Sequence, residues 1–187
     1  MLKRTLVALS LALAPEAIAM QDPLIDAVTG PETALGTVWE LVSDQVMGGV
    51  SSGTLVTEDV AGRPARHLTG QVSLENNGGF LQMALDLDPA AGAVDASGFS
   101  GIELTVRGNG ADYNIHLRTD DIARPWQSYR LTFPTTADWT THRLPFAKVE
   151  AHRLEVPFDP ATLRRIGLVA IGEAMDADLA LARIAFY

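Results

Sequence analysis

The sequence holds no cysteine, and beyond its N-terminal segment it has no apolar run longer than a strand. The first absence excludes a disulfide framework, thiol catalysis and thiolate-bound metal, so stability has to come from the core. The second excludes a membrane-spanning helix in the body of the chain. Basic side chains are also scarce: 14 Lys and Arg stand against 23 Asp and Glu, for a formal net charge of −9. An acidic surface without a basic cluster repels phosphate backbones and anionic lipid, which argues against nucleic acid and membrane surfaces as partners. The expected partner is a protein client or a neutral glycan.

Catalytic signatures are lacking too. His67, His116, His142 and His152 lie on four different elements without paired ligand spacing, so no metal site is signalled. Gly108-Asn109-Gly110 lacks the third glycine of a dinucleotide fingerprint and ends a strand, which reads as a hairpin turn. Ser43-Asp44 has no placed histidine with which to form a triad. The pairs Asp86 and Asp88, Asp120 and Asp121, and Asp176 and Asp178 sit at turn positions, where they can cap backbone amides or hold calcium through oxygen ligands. No cofactor and no catalytic residue are expected, and the chain reads as a non-enzyme.

What is present begins with an export signature. Lys3 and Arg4 precede the ten apolar-rich residues Thr5 to Ala14, Pro15 breaks the run, and Ala17-Ile18-Ala19 has the small-x-small form of a cleavage site. Residues 1–19 read as a signal peptide, too short to span a bilayer. The protein is therefore expected to be exported, in a periplasmic setting, with no membrane insertion after cleavage. Residues 20–36, with Pro23, Gly30, Pro31 and Gly36, read as a lead-in segment, and residues 37–187 as one domain.

That domain is dense in strand signals. Runs at 37–42, 54–58, 65–74, 80–87, 101–107, 113–119, 127–133, 140–144, 166–171 and 179–186 alternate apolar with polar residues between turn residues. Ile102, Leu104 and Val106, then Tyr113, Ile115 and Leu117, then Tyr129, Leu131 and Phe133 should face a common core. Their outward neighbours, taking 101–107, 113–119 and 126–133 as adjacent strands, are Arg107, Asn114, His116, Arg118, Trp126, Ser128 and Arg130. An aromatic plate among long hydrogen-bond donors is a candidate surface for a sugar or a peptide. The expected architecture is an all-β, jelly-roll-like sandwich with one helical turn, capped by Asp159 ahead of Pro160. The polar stretch 147–156 reads as a loop or edge strand.

Two glycine-rich runs fit no regular element. Val42 to Gly53 reads VSDQVMGGVSSG and Glu75 to Phe80 reads ENNGGF. Both read as shaped turns, placed side by side, with Asp44, Ser51, Asn76 and Asn77 bonding the backbone of the facing loop. Glycine at 48, 49, 78 and 79 allows close backbone approach, and Met47 adds an apolar side chain.

These runs carry a family resemblance. Trp39 followed by Val42 to Gly53, then Gly70 to Phe80 (GQVSLENNGGF), with weaker support from Phe99 to Leu104, Val106 to Gly110, Trp139, Leu144-Pro145-Phe146 and Ile166-Gly167-Leu168, resembles the complex I intermediate-associated protein 30 family. The resemblance implies a galactose-binding-like domain and a non-catalytic protein-binding role, as an assembly factor or chaperone for NADH:ubiquinone oxidoreductase. It makes Asp44, Met47, Gly48, Gly49, Ser51, Asn76, Asn77, Gly78 and Gly79 the family motif loops. The same fold is similar to carbohydrate-binding modules, which keeps a carbohydrate-binding role as the alternative.

Overall fold

The computed structural model describes residues 17–187. In chain order the strands are β1 Ile18–Ala19, β2 Leu24–Asp26, β3 Glu40–Ser43, β4 Ser52–Val60, β5 Arg63–Val72, β6 Phe80–Asp86 and β7 Val94–Asp95. They continue as β8 Gly101–Gly108, β9 Asp112–Thr119, β10 Ser128–Pro134, β11 Thr140–Pro145, β12 Glu150–His152, β13 Leu163–Ile171 and β14 Met175–Phe186. Strands hold 53% of the described residues and short 3-10 turns about 8%, so the domain is all-β. All ten expected strands are present. β12 confirms the edge-strand reading of 147–156, pairing with β10 at the sheet margin. The expected helical turn is a 3-10 turn, Pro160–Thr162, with the Asp159 carboxylate accepting from the Ala161 amide at 2.9 Å.

Two sheets face each other. The larger, eight-stranded sheet runs β3-β6-β13-β9-β10-β12, with β7 and β1 continuing from the start of β13. The six-stranded sheet runs β11-β8-β14-β5-β4, with β2 on β14. Period-two alternation fills the space between them, as side chains at i and i+2 share a face. Ile102, Leu104, Val106, Tyr113, Ile115, Leu117, Tyr129 and Phe133 are all buried there, while Leu131 is only half-buried.

Strand order corrects one expectation. β8 is not a neighbour of β9: it lies in the six-stranded sheet between β11 and β14, while β9 lies in the other between β13 and β10. Gly108-Asn109-Gly110 is accordingly an arch between sheets and not a hairpin turn. The arch is pinned from the core side. The buried Tyr113 hydroxyl donates to Asn109 Oδ1 at 3.2 Å and accepts from the Asp178 amide at 2.9 Å, and burial pushes its pKa up to about 12.

The segment read as a lead-in is part of the sandwich. β2 pairs with β14, Ile25 is fully buried, and Asp26, 1% exposed, accepts from Trp39 Nε1 and Arg66 Nε, both at 2.9 Å. Arg66, also buried, spends its other donors on Thr57 Oγ1 at 2.7 Å and the Gly30 carbonyl at 2.8 Å. A buried charge pair survives only when its remaining hydrogen-bonding capacity is met, and here it ties residues 24–30 to β4 and β5. Residues 1–16, most of the expected signal peptide, lie outside the described residues. Ile18 and Ala19 form a short parallel pairing with Val94 and Asp95.

His67 on β5 lies between two carboxylates, Nδ1 at 2.7 Å from Glu58 and Nε2 at 2.8 Å from Asp178. Burial alone would push its pKa down, but hydrogen bonds to Asp178 and then Glu58 outweigh this and raise it above 6.5. A raised folded-state pKa means that the stability from this bridge is fully present below the unfolded value and lost as pH rises through the folded one. The gap in melting temperature between the parent and His67→Gln should therefore be wide at pH 6 and narrow at pH 8.5. A gap independent of pH would show that His67 is not protonated in its bridge.

Candidate functional site

The concave outer face of the larger sheet forms the floor of a cleft. Antiparallel register sets Ala84, Gly167, His116 and Arg130 in one row across β6, β13, β9 and β10, and Gln82, Val169, Asn114 and Thr132 in the next. Small residues at 84 and 167 hollow the floor. A Cβ at Gly167 would stand 2.7 Å from Gln82 Oε1, so glycine lets the glutamine lie flat across it. Walls rise on both sides and enclose about 790 Å³, within the usual range for small-molecule and oligosaccharide sites.

One wall is made by the two glycine-rich turns, which do lie side by side. The Asp44 carboxylate, with no accessible surface, accepts from the Ser51 amide at 2.9 Å, the Gly79 amide at 2.6 Å, the Phe80 amide at 3.2 Å and the Ser51 hydroxyl. Burial pushes its pKa up, but these four hydrogen bonds outweigh it and hold the carboxyl below the ordinary aspartate value. A Cβ at Gly49 or Gly78 would fall on that carboxylate, which is why both positions are glycine. Asn76 and Asn77 play another part than expected: their side chains bond no facing loop, and both residues adopt left-handed backbone, φ 55° and 58°, to turn the chain. The pinned turns hold Val46 and Met47, 73% and 54% exposed, at the cleft rim beside Leu74.

The opposite wall is the loop before β10 together with β12. Arg118 Nη1 donates to the Pro125 and Gln127 carbonyls, both at 3.2 Å, and Gln127 Nε2 donates to the Arg153 carbonyl at 3.1 Å. These contacts fix Trp126, 50% exposed, over the cleft, with the Arg124 guanidinium 6.0 Å from its ring centre.

Charge in the cleft runs against the charge of the whole chain. Its lining includes Arg118, Arg130, Arg153 and Arg165 with His116 and His152, and no Asp or Glu lines it. Arg165 is neutralised by Asp86 at 2.7 Å and Glu40 at 2.9 Å. Arg118 stands opposite Arg165 in register, and burial, followed by the nearby Arg165 and Arg164, lowers its pKa. Burial, reinforced by Arg130, His152 and Arg118, pushes His116 down to about 3, so its ring is neutral at physiological pH. Its Nε2 is buried without a hydrogen-bond partner among the described residues.

Of the outward residues read from sequence, His116, Arg118, Trp126, Ser128 and Arg130 line this cleft. Asn114 shares the face but is engaged one row on, accepting from Thr132 Oγ1 at 3.2 Å. Arg107 does not belong to it. It lies on β8, in the other sheet, because the chain crosses over at Gly108 instead of turning back. Met47, Asn77, Gly78 and Gly79 line the cleft as well, while Asp44 and Ser51 brace the wall from behind. Two regions separate in sequence are thus floor and wall of one site. Gln82, Arg153 and Arg165 were missed; a glutamine flanked by Leu81 and Met83 on a strand was the available signal.

Gly49-Val50-Ser51-Ser52-Gly53 has the G-x-S-x-G spacing of a nucleophile elbow, a match that reading the run as a turn passes over. Ser51 is fully buried, leads into β4 and not a helix, and its hydroxyl meets Asp44 and the Ser73 backbone. That is a structural serine. The turn aspartates are likewise engaged by protein groups: Asp86 by Arg165, Asp120 by Arg164, Asp178 by His67, and Asp88 by the Ala90 and Gly92 amides. Among the described residues no group of three His, Asp or Glu converges on one point.

Residues 29–182 match the complex I intermediate-associated protein 30 family. The chain belongs to this family. No curated protein sequence matches it at a significant level. Among solved structures it is similar to the family 11 carbohydrate-binding module from Clostridium thermocellum in complex with a β-1,3-1,4-mixed-linked tetrasaccharide, with TM-score 0.62 and 12% identity, covering 88% of this chain and 94% of that one. It is also similar to the family 30 carbohydrate-binding module of a Clostridium thermocellum cellulosomal cellulase, with TM-score 0.55 and 18% identity, covering 74% and 90%. At such identities the likeness is one of fold. It shows a shared two-sheet β-sandwich, with sites left to each sequence.

Proposed function

We propose that the protein is an exported, non-catalytic binding module that holds an oligosaccharide in the cleft of its larger sheet. The observation that carries this reading is the pinned Trp126, half exposed above a floor of hydrogen-bonding side chains. A sugar ring offers one apolar face to an aromatic plate and a rim of hydroxyls to donors and acceptors, and Gln82 and the arginines that line the cleft can meet such hydroxyls. Hydrolysis of a glycosidic bond needs two carboxyl groups across the scissile bond, and the cleft lining carries none. A protein client is the second reading, favoured by family membership and by the exposed Val46, Met47 and Leu74 on one rim.

Trp126→Ala and Arg118→Ala should each weaken binding of a retained oligosaccharide by about 1 to 3 kcal/mol with the fold intact, as expected for anchors. Affinity electrophoresis through polysaccharide gels, with release by free sugar, reads this directly. If both variants are retarded like the parent, the cleft is not the site. If no glycan retards the parent while a partly unfolded protein is held in solution, the client reading replaces it.

A further inference from the structure

We propose that the oligosaccharide is anionic, with a carboxylate or sulfate seated among Arg118, Arg130 and Arg153. This rests on the oligosaccharide reading above and narrows its chemistry. Three observations carry it. The chain has a net charge of −9, yet no acidic residue lines this cleft, so the local charge is opposite to the overall one. Among the described residues Arg118, Arg130 and Arg153 have no carboxylate within ion-pair distance, as is also true of Arg63, Arg107 and Arg124 outside the cleft lining, whereas Arg66, Arg143, Arg164, Arg165 and Arg183 each do. Arg118 and Arg165 face each other across two strands, an arrangement of like charges that costs stability, and only Arg165 is compensated.

The donors already used leave room for such a ligand. Arg118 spends Nη1 on two carbonyls, and Arg130 spends Nε on Ser128 Oγ at 2.8 Å. The other guanidinium nitrogens of Arg118 and Arg130 donate to no protein group among the described residues, and so can serve the paired acceptor oxygens of a carboxylate or sulfate. Of the other charged groups near the cleft, Asp86 and Glu40 are paired with Arg165. Glu150 stands opposite Arg130 in register but is exposed and forms no ion pair with it, and Arg124 lies over Trp126 at the rim and adds positive charge there. His152 responds to the same arginines: burial, then Arg130 and Arg153, lower its pKa.

The test is calorimetry on the full chain with tetragalacturonate, a sulfated carrageenan tetrasaccharide and neutral cellotetraose, and with hexaglutamate as an acidic peptide. An acidic tetrasaccharide should bind about 10- to 100-fold tighter than the neutral one at low salt, the gain expected of charge-assisted hydrogen bonds. Which acidic sugar wins identifies the anion as carboxylate or sulfate. The preference should shrink as NaCl rises and collapse toward parity in the double variant Arg130→Gln, Arg153→Gln, with melting temperature as the folding control. A readout that needs no variant is the His152 ring resonance in the parent, whose titration should move to higher pH with the acidic sugar and stay put with the neutral one. Equal affinity for neutral and acidic sugars overturns the anion assignment and leaves the oligosaccharide reading standing. Binding of hexaglutamate alone, or of nothing, overturns both.

Discussion

Replacing Asp26 by alanine should destabilise the fold by about 3 to 5 kcal/mol, because it strands the buried Arg66 guanidinium without its counter-charge. Small domains are stable by only about 5 to 15 kcal/mol, so a large part of the total would be lost. The pair is 4% and 2% exposed at its side chains, too dry for water to take over either partner. Trp39 Nε1 and the Val28 amide lose their acceptor in the same step. Urea denaturation measures the loss. The double variant Asp26→Leu, Arg66→Met should recover much of it, since a buried ion pair replaced whole by apolar groups is often neutral. A single Asp26→Ala with an unchanged midpoint would mean that residues 24–30 are not tied into the sandwich.

The second large effect is expected at Asp44. Asp44→Ala leaves the Ser51 and Gly79 amides, the Phe80 amide and the Ser51 hydroxyl without their shared acceptor in a site closed to solvent. Each stranded buried donor costs about 1 to 3 kcal/mol, so a loss of about 3 to 5 kcal/mol is expected after partial relaxation. Gly49→Val should approach the same loss by a steric route, since its first side-chain carbon falls on the carboxylate. Acid should act in the same direction. The Asp44 pKa is held below the ordinary aspartate value of 3.8, so its contribution is complete above that pH and lost as pH falls through the lowered folded value. Because the two turns form a wall of the cleft, ligand affinity should fall together with stability in these variants. Loss of affinity with an unchanged urea midpoint would instead make Asp44 a ligand contact.

Charge was the least legible property in the sequence. A net charge of −9 points to an uncharged partner, and it averages over the whole surface, whereas no carboxylate lines the cleft. Arg118, Arg130, Arg153 and Arg165 lie on three strands and one loop separated by as many as 47 residues between first and last, and only strand pairing gathers them. Net charge is a sum, and recognition depends on where its terms fall.

The primary structure is enough to read off the strands, their inward faces and the two glycine-rich turns, because side-chain alternation, backbone strain and short-range capping are local and are written in neighbouring residues. It also singled out His116, Arg118, Ser128 and Arg130, since their common face follows from period two along β9 and β10, while Trp126 comes to the same cleft on the loop before β10. The three-dimensional fold places β8 in the other sheet and takes Arg107 away from that face. It alone set β6 and β13 beside β9 to bring Gln82 and Arg165 into the cleft, and paired Asp26 with Arg66. Strand order and buried ion pairs depend on which distant segments satisfy one another's hydrogen bonds and core volume, a balance over the whole chain that no local pattern records.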